Sequence, residues 1–205
     1  IKVLPVAQGA PAEGFVVFQE PRVDPERVSA IGARSIVERI EALGTLPIDL
    51  TGLREDRTEV VRVDLTEWDG IVTDPIEVEV FYDLEKIEDR TLAKRPIRIS
   101  PRSGTQLLPD SLDLVVRGPA ARLGEIPESR IRLSLNVEPI DSPGEFSYLA
   151  EVMEGNRIRF YRQLSDGVTE EVALPDLEGA VQNLPDQVVV VDFSPKVFRI
   201  VRGGN

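Results

Sequence analysis

Apolar and polar positions follow two rhythms along the 205 residues, and the order in which the rhythms come returns once. Residues 58–65 alternate, with Val61, Val63 and Leu65 on one face and Val60, Arg62 and Asp64 on the other, the mark of a half-buried strand. Ile76, Val78, Val80 and Tyr82 alternate with Glu77 and Glu79, which predicts a strand whose acidic face is wet. Between 23 and 52 the chain reads strand, glycine, short helix, strand. Val28 and Ala30 lead to Gly32; Ile36, Val37, Ile40 and Leu43 then recur at helical spacing, and Gly44 marks the stop of a helix of about two or three turns. Residues 48–52 close the stretch as a short strand and turn. Further on, Leu114 and Val116 lead to Gly118 and Pro119, and Leu123 and Ile126 follow Gly118 at the distances at which Val37 and Ile40 follow Gly32. A layout that recurs at this spacing predicts two modules.

Turn chemistry fills in the rest. Residues 2–6 and 15–18 are apolar runs joined by a glycine- and proline-rich link, consistent with paired strands. Pro25 has no N–H to give and belongs at a strand start or edge, which leaves 27–31 to carry the pairing. The charged stretch 83–95 reads as a linker, so the boundary is set near Ala93, giving modules at 1–93 and 94–205, with Pro96 opening the second. The second module has a shorter entry and an insertion at 153–183. There, Ser165-Asp166-Gly167 separates two alternating runs and predicts a projecting β-hairpin over 157–174, dispensable to the core. After it, 185–193 repeats the proline-led strand of 75–82, and 197–201 supplies the last strand.

Composition narrows what such modules do. Hydrophobic residues at 41% and charged residues at 29% fit a folded chain rather than a disordered one. Aromatics are only 5%, and Val, Ile and Leu dominate the apolar runs, so aliphatic cores on sheets are expected. The net charge of −12 is spread as −8 up to Arg95 and −4 beyond it, so neither half offers a face for nucleic acid or anionic lipid. With no histidine and no cysteine, histidine triads, thiol nucleophiles and thiolate metal sites are excluded. No run reaches the ~20 apolar residues of a membrane helix. The start at Ile1 reads as a trimmed fragment, so an anchor outside these residues stays open.

The pattern resembles the YbbR-like repeat family, extracytoplasmic modules of bacterial membrane proteins. The first module matches through Leu4-Pro5-Val6, Gly9, the run from Pro11 to Val16, Pro25, Val28, Gly32, Ile40, the 48–52 turn and the Pro75, Val78, Val80 strand. The second is similar through Pro109, Gly118-Pro119, Leu123, Ile126 and the stretch from Pro185. This resemblance implies a mainly β chain of two tandem small β-sheet modules, each with a short helix, similar to the β domain of a ribosomal protein family. It implies no catalytic, cofactor-binding or metal-binding residues. It also implies location on the outer face of the bacterial membrane, anchored by a helix outside the fragment, and a membrane-protein partner such as the diadenylate cyclase that makes cyclic di-AMP. The alternative is an envelope module that binds glycan or peptide; an enzyme comes last.

The residues that invite chemistry each have a plainer reading. Glu77 and Glu79 have the makings of a carboxylate pair for glycoside hydrolysis, and of a solvated strand face. Asp64, Glu67 and Asp69 before Gly70 hint at calcium but lack the alternation and closing glutamate of that loop, so a turn is expected. Gly9, Gly14 and Gly118 lack the lysine and hydroxyl of a phosphate cradle and read as turns. Trp68 is either a ligand platform or a cap on the core. Arg157, Arg159, Phe160, Tyr161 and Arg162 interleave cations and aromatics; in so acidic a chain they read as a partner-facing hairpin rather than a base-stacking surface. Those five and Trp68 are the candidate partner contacts.

Overall fold

The computed structural model describes residues 1–101, 104–140, 143–162 and 176–203. The chain is mainly β, with two small helices. It forms two compact units, residues 1–87 and 88–205, each with its own core.

In the first unit β1 (Lys2–Leu4) and β2 (Ala7–Gln8) are followed by β3 (Phe15–Val17), β4 (Arg22–Asp24) and β5 (Ser29–Ile31). A single helical turn, α1 (Arg34–Val37), leads to β6 (Ala42–Gly44), β7 (Ile48–Asp49), β8 (Arg57–Arg62), β9 (Val72–Asp74) and β10 (Glu77–Tyr82). β1 runs parallel to β6, β5 is antiparallel to β9, and β10 lies between β4 and β8. Val78, Val80 and Tyr82 face inward from β10 while Glu77 and Glu79 stay exposed, as their alternation predicts. Leu43, Ile48, Leu50 and Val3 complete an aliphatic core.

The helix is shorter than its sequence predicts, and Gly44 does not stop it. Ile40 and Leu43 are buried, but Leu43 and Gly44 pair with Val3 and Leu4 as strand. Strand partners at Leu43 and Gly44 outweigh a helical spacing that covers too few residues to propagate. The expected pairing of 2–6 with 15–18 is also replaced, since β1 pairs with β6 and β3 with 84–86.

β11 (Leu84–Ser100) carries the chain from the first unit into the second. The charged stretch expected as a linker is therefore strand. Leu84 belongs to the first core and Leu92 to the second. Its charges are engaged: Asp89 binds Arg117 at 2.6 Å, and Arg90 reaches Glu128.

In the second unit come β12 (Thr105–Leu108), β13 (Ser111–Pro119), α2 (Ala120–Gly124), β14 (Arg132–Asn136), β15 (Gly144–Met153), β16 (Arg157–Arg162), β17 (Leu177–Gln182), β18 (Val189–Ser194) and β19 (Val197–Arg202). Its pairings repeat those of the first unit. Ile97 to Ser100 run parallel to β14 as β1 does to β6, β13 is antiparallel to β18 as β5 is to β9, and β19 lies between β12 and β15 as β10 lies between β4 and β8. The strand equivalent to 77–82 is thus β19, entered through Pro195, not the stretch 185–193. Gly118 is likewise no turn. It sits in β13, where a Cβ would lie 2.9 Å from the Gln187 carbonyl, and Gly32 makes the same approach to Gly70, 2.9 Å from its carbonyl.

The units differ in what lies between two of these strands. In the first, Leu46 N–H donates to the Arg62 carbonyl at 2.9 Å and Asp64 N–H to the Gly44 carbonyl at 2.8 Å, so the end of β8 meets the end of β6 directly. In the second, β16 and β17 occupy that place, giving the order β15, β16, β17, β14. The described strands of the insertion, β16 and β17, do not project; they are interior strands of the sheet. Ile158, Phe160 and Leu177 are buried, and Phe160 meets Phe198 edge-to-face at 5.3 Å. The second core is mostly aliphatic, with four aromatics among its buried residues. Tyr148, Phe160, Phe193 and Phe198 are among its largest fully buried side chains. The expected turn at 165–167 and run at 168–174 lie outside the described residues.

Candidate functional site

The five residues singled out around β16 do not share one surface. Strand alternation sends Arg157 and Arg159 outward and Phe160 inward, where it is fully buried. Tyr161 is half-buried, and Arg162 pairs with Tyr148 through its backbone. Phe160 is thus withdrawn from any stacking surface, and of the aromatics only half-buried Tyr161 shares the face of Arg157 and Arg159.

On the outer face the two arginines stand in a ladder of acids from neighbouring strands. Arg157 is 3.7 Å from Glu178, while Arg159 binds Asp176 and lies 3.9 Å from Glu151. The Asp176 carboxylate, through its hydrogen bond and then its charge, holds the Arg159 guanidinium above its ordinary pKa, and Glu151 and Glu178 add to this. Each arginine is already neutralised within the fold, so the face presents balanced charge rather than a cationic patch.

Trp68 caps the core and also borders a groove. It packs half-buried against the first core, its N–H donating to the Leu65 carbonyl at 2.9 Å. It also lines a groove of about 430 Å³ with Val6, Pro47, Asp64, Thr66 and Glu67. Asp64 accepts from the Thr66 hydroxyl and, at 2.9 Å, from its N–H, which holds the carboxyl below its ordinary pKa. The acidic cluster before Gly70 thus contains a turn closed by its own side chain.

Residues 1–80 match the family model of YbbR-like proteins. The first unit is a YbbR-like domain. The match ends within β10, so it covers the strands, Gly32 and α1 of that unit. No curated protein and no solved structure matches the chain. Among the described residues no helix is long and apolar enough to cross a membrane.

What sequence reasoning missed is a second groove of the YbbR-like unit, of about 910 Å³, between β1 and the β3–β4 edge. Tyr82 lines it. The residue is 2% exposed, its hydroxyl has no hydrogen-bond partner, and burial pushes its phenol pKa up. The alternation of 76–82 places Tyr82 in the core; that its hydroxyl lacks a partner depends on strands far apart in sequence.

Proposed function

We propose that the chain is a non-enzymatic docking module on the outer face of a bacterial membrane, where it regulates a membrane diadenylate cyclase. The observation that carries this reading is the YbbR-like match over residues 1–80, whose family resemblance implies such a partner and place. Two features support it. Three sets of strand pairings in the first unit, β1 with β6, β5 with β9 and β10 between β4 and β8, have counterparts in the second, as tandem modules of one family would. Its extra strands widen the sheet and add an outer face whose arginines are matched by acids, suited to a protein partner rather than to nucleic acid.

The test is recovery of the partner. The purified chain, carrying a photo-crosslinker at exposed Arg157 or at Trp68, is incubated with solubilised bacterial envelope. The reading expects a diadenylate cyclase in the crosslinked product; capture of envelope glycan alone contradicts it.

Glycan or peptide binding is the second reading, and one observation favours it. Trp68 lines a groove beside Glu67 and the Thr66 hydroxyl, an aromatic face with polar groups at its edge. Saturable binding of glycan fragments, lost in Trp68→Ala, is the result that selects it.

A further inference from the structure

The groove at Tyr82 is a split between two strands. Val3 N–H donates to the Glu26 carbonyl and Val28 N–H to the Ile1 carbonyl, each at 2.9 Å, so residues 1–3 and 26–28 are zipped together. Beyond this point the chains diverge. Going one way, Leu4 and Val6 turn their carbonyls to the other side, accepting from Thr45 and Ile48 N–H at 3.1 and 2.9 Å. Going the other, β4 pairs with β10 and β3 with residues 84–86, and among the described residues neither has a partner on its opposite edge. The groove opens between them, lined by Leu4, Pro5, Val17, Val23 and Leu50, with Tyr82 among them.

Three features of this split define what fits it. The lining sets those apolar residues beside charged Lys2, Glu20, Arg22 and Glu26, two open strand edges border it, and one of its buried residues, Tyr82, carries an unpartnered hydroxyl. A buried polar atom without a partner costs on the order of 1–3 kcal/mol, so a group that meets it adds to affinity. A lipid tail would cover the apolar lining but leave hydroxyl and edges unmet. An extended peptide answers all three: one side of its backbone pairs with a strand edge, alternate apolar side chains enter the groove, and a backbone carbonyl left free on its other side accepts from the Tyr82 hydroxyl. The net charge of −12 favours an occupant whose outward side chains are basic.

We propose that this groove binds an extended segment of a partner protein, apolar side chains inward and basic side chains outward, by strand addition at β3–β4. The proposal rests on the docking reading only in taking the occupant to be a protein. Its test is direct binding to the purified chain, so it stands or falls separately from any effect on a cyclase.

The probes are two blocked hexapeptides of equal charge, one alternating valine and lysine, the other serine and lysine, titrated into the isotope-labelled chain and followed by amide and methyl NMR shifts. The valine peptide is expected to produce saturable shifts centred on Leu4, Val17 and Val23, with affinity about tenfold or more above the serine peptide. Tyr82→Phe keeps the ring and removes the hydroxyl; it is expected to weaken the valine peptide about 2- to 12-fold, the range of one hydrogen bond, with no loss of thermal stability. Equal binding of the two peptides, shifts confined to other surfaces, or no binding up to millimolar peptide overturns the proposal. So does occupation of the groove by a short-chain alkyl amphiphile where the valine peptide fails.

Discussion

Asn156 is tied to Val190 as if it were a strand: its side-chain Oδ1 accepts from the Val190 N–H at 2.8 Å, while its Nδ2 donates to the Val188 carbonyl at 3.3 Å. Its own carbonyl accepts from the Val181 N–H at 2.9 Å. One turn residue, at a φ of 59°, therefore connects the β15–β16 turn to β17 and to the start of β18. Asparagine suits both demands, tolerating the left-handed region and offering a donor and an acceptor. Asn156→Ala is expected to cost the second unit about 2–4 kcal/mol in urea unfolding, from lost hydrogen bonds and backbone strain. Asn156→Gly, which relieves the strain alone, is expected to cost less. Equal costs would mean that the φ contributes nothing.

The paired glycines give a sharper contrast. A Cβ on Gly118 would meet the Gln187 backbone carbonyl at 2.9 Å and Val188 Cγ2 at 3.0 Å, in the turn that leads into β18. Gly118→Ala is expected to destabilise by about 1–3 kcal/mol, as overpacking does. Gly124, with nothing within 4 Å of its Cβ position, is expected to accept alanine with a change below about 1 kcal/mol in the stabilising direction. Thermal unfolding of the two variants tests the pair.

Phe160 and Arg159 are neighbours in sequence and opposite in role. Phe160→Ala empties a fully buried site against Phe198 and is expected to cost about 3–5 kcal/mol. Arg159→Ala, on the exposed ladder, is expected to leave the melting temperature nearly unchanged. If Phe160→Ala is as mild as Arg159→Ala, the inserted strands are decoration on the core after all.

Those two residues also show what was legible in the sequence. Period-two alternation of 58–65 and 76–82, the glycine at 32 and its counterpart at 118, and the family resemblance of the first unit could all be read from local pattern. Alternation around Phe160 is present too, but the turn at 165–167 suggests a self-contained hairpin, whereas the described partners of β16 are β15, at 144–153, and β17, at 177–182. Which strands flank an inserted one is a non-local fact. The same holds for 83–95, where charges that read as a linker are partnered by Arg117 and Glu128 from later in the chain. Of the candidate contacts, Trp68 was recognisable as a lone aromatic beside a turn, while the Tyr82 groove depends on where two distant strands part.

Acid is expected to loosen the fold in a defined direction. Hydrogen bonds from Thr66, Arg117 and Lys196 hold the carboxyls of Asp64, Asp89 and Asp192 below their ordinary pKa of 3.8. A depressed folded-state pKa contributes stability that is fully present above the unfolded value and is lost as pH falls through the folded one. Stability is therefore expected to hold from neutral pH down to about 4 as far as these groups are concerned, and to fall below that; Asp89→Asn flattens the fall. An unchanged slope in that variant would remove Asp89 from the account.

If the chain docks to a membrane diadenylate cyclase, as proposed, changes at its docking residues alter the output of that enzyme. The most direct measurement is cellular cyclic di-AMP in a bacterium expressing the full-length protein, compared with the same strain in which Trp68→Ala and Arg157→Glu are introduced into it at equal abundance. The account predicts a change in cyclic di-AMP, with cyclase abundance constant and both variants still folded and exported. Unaltered cyclic di-AMP both in these variants and on complete removal of the protein would contradict it.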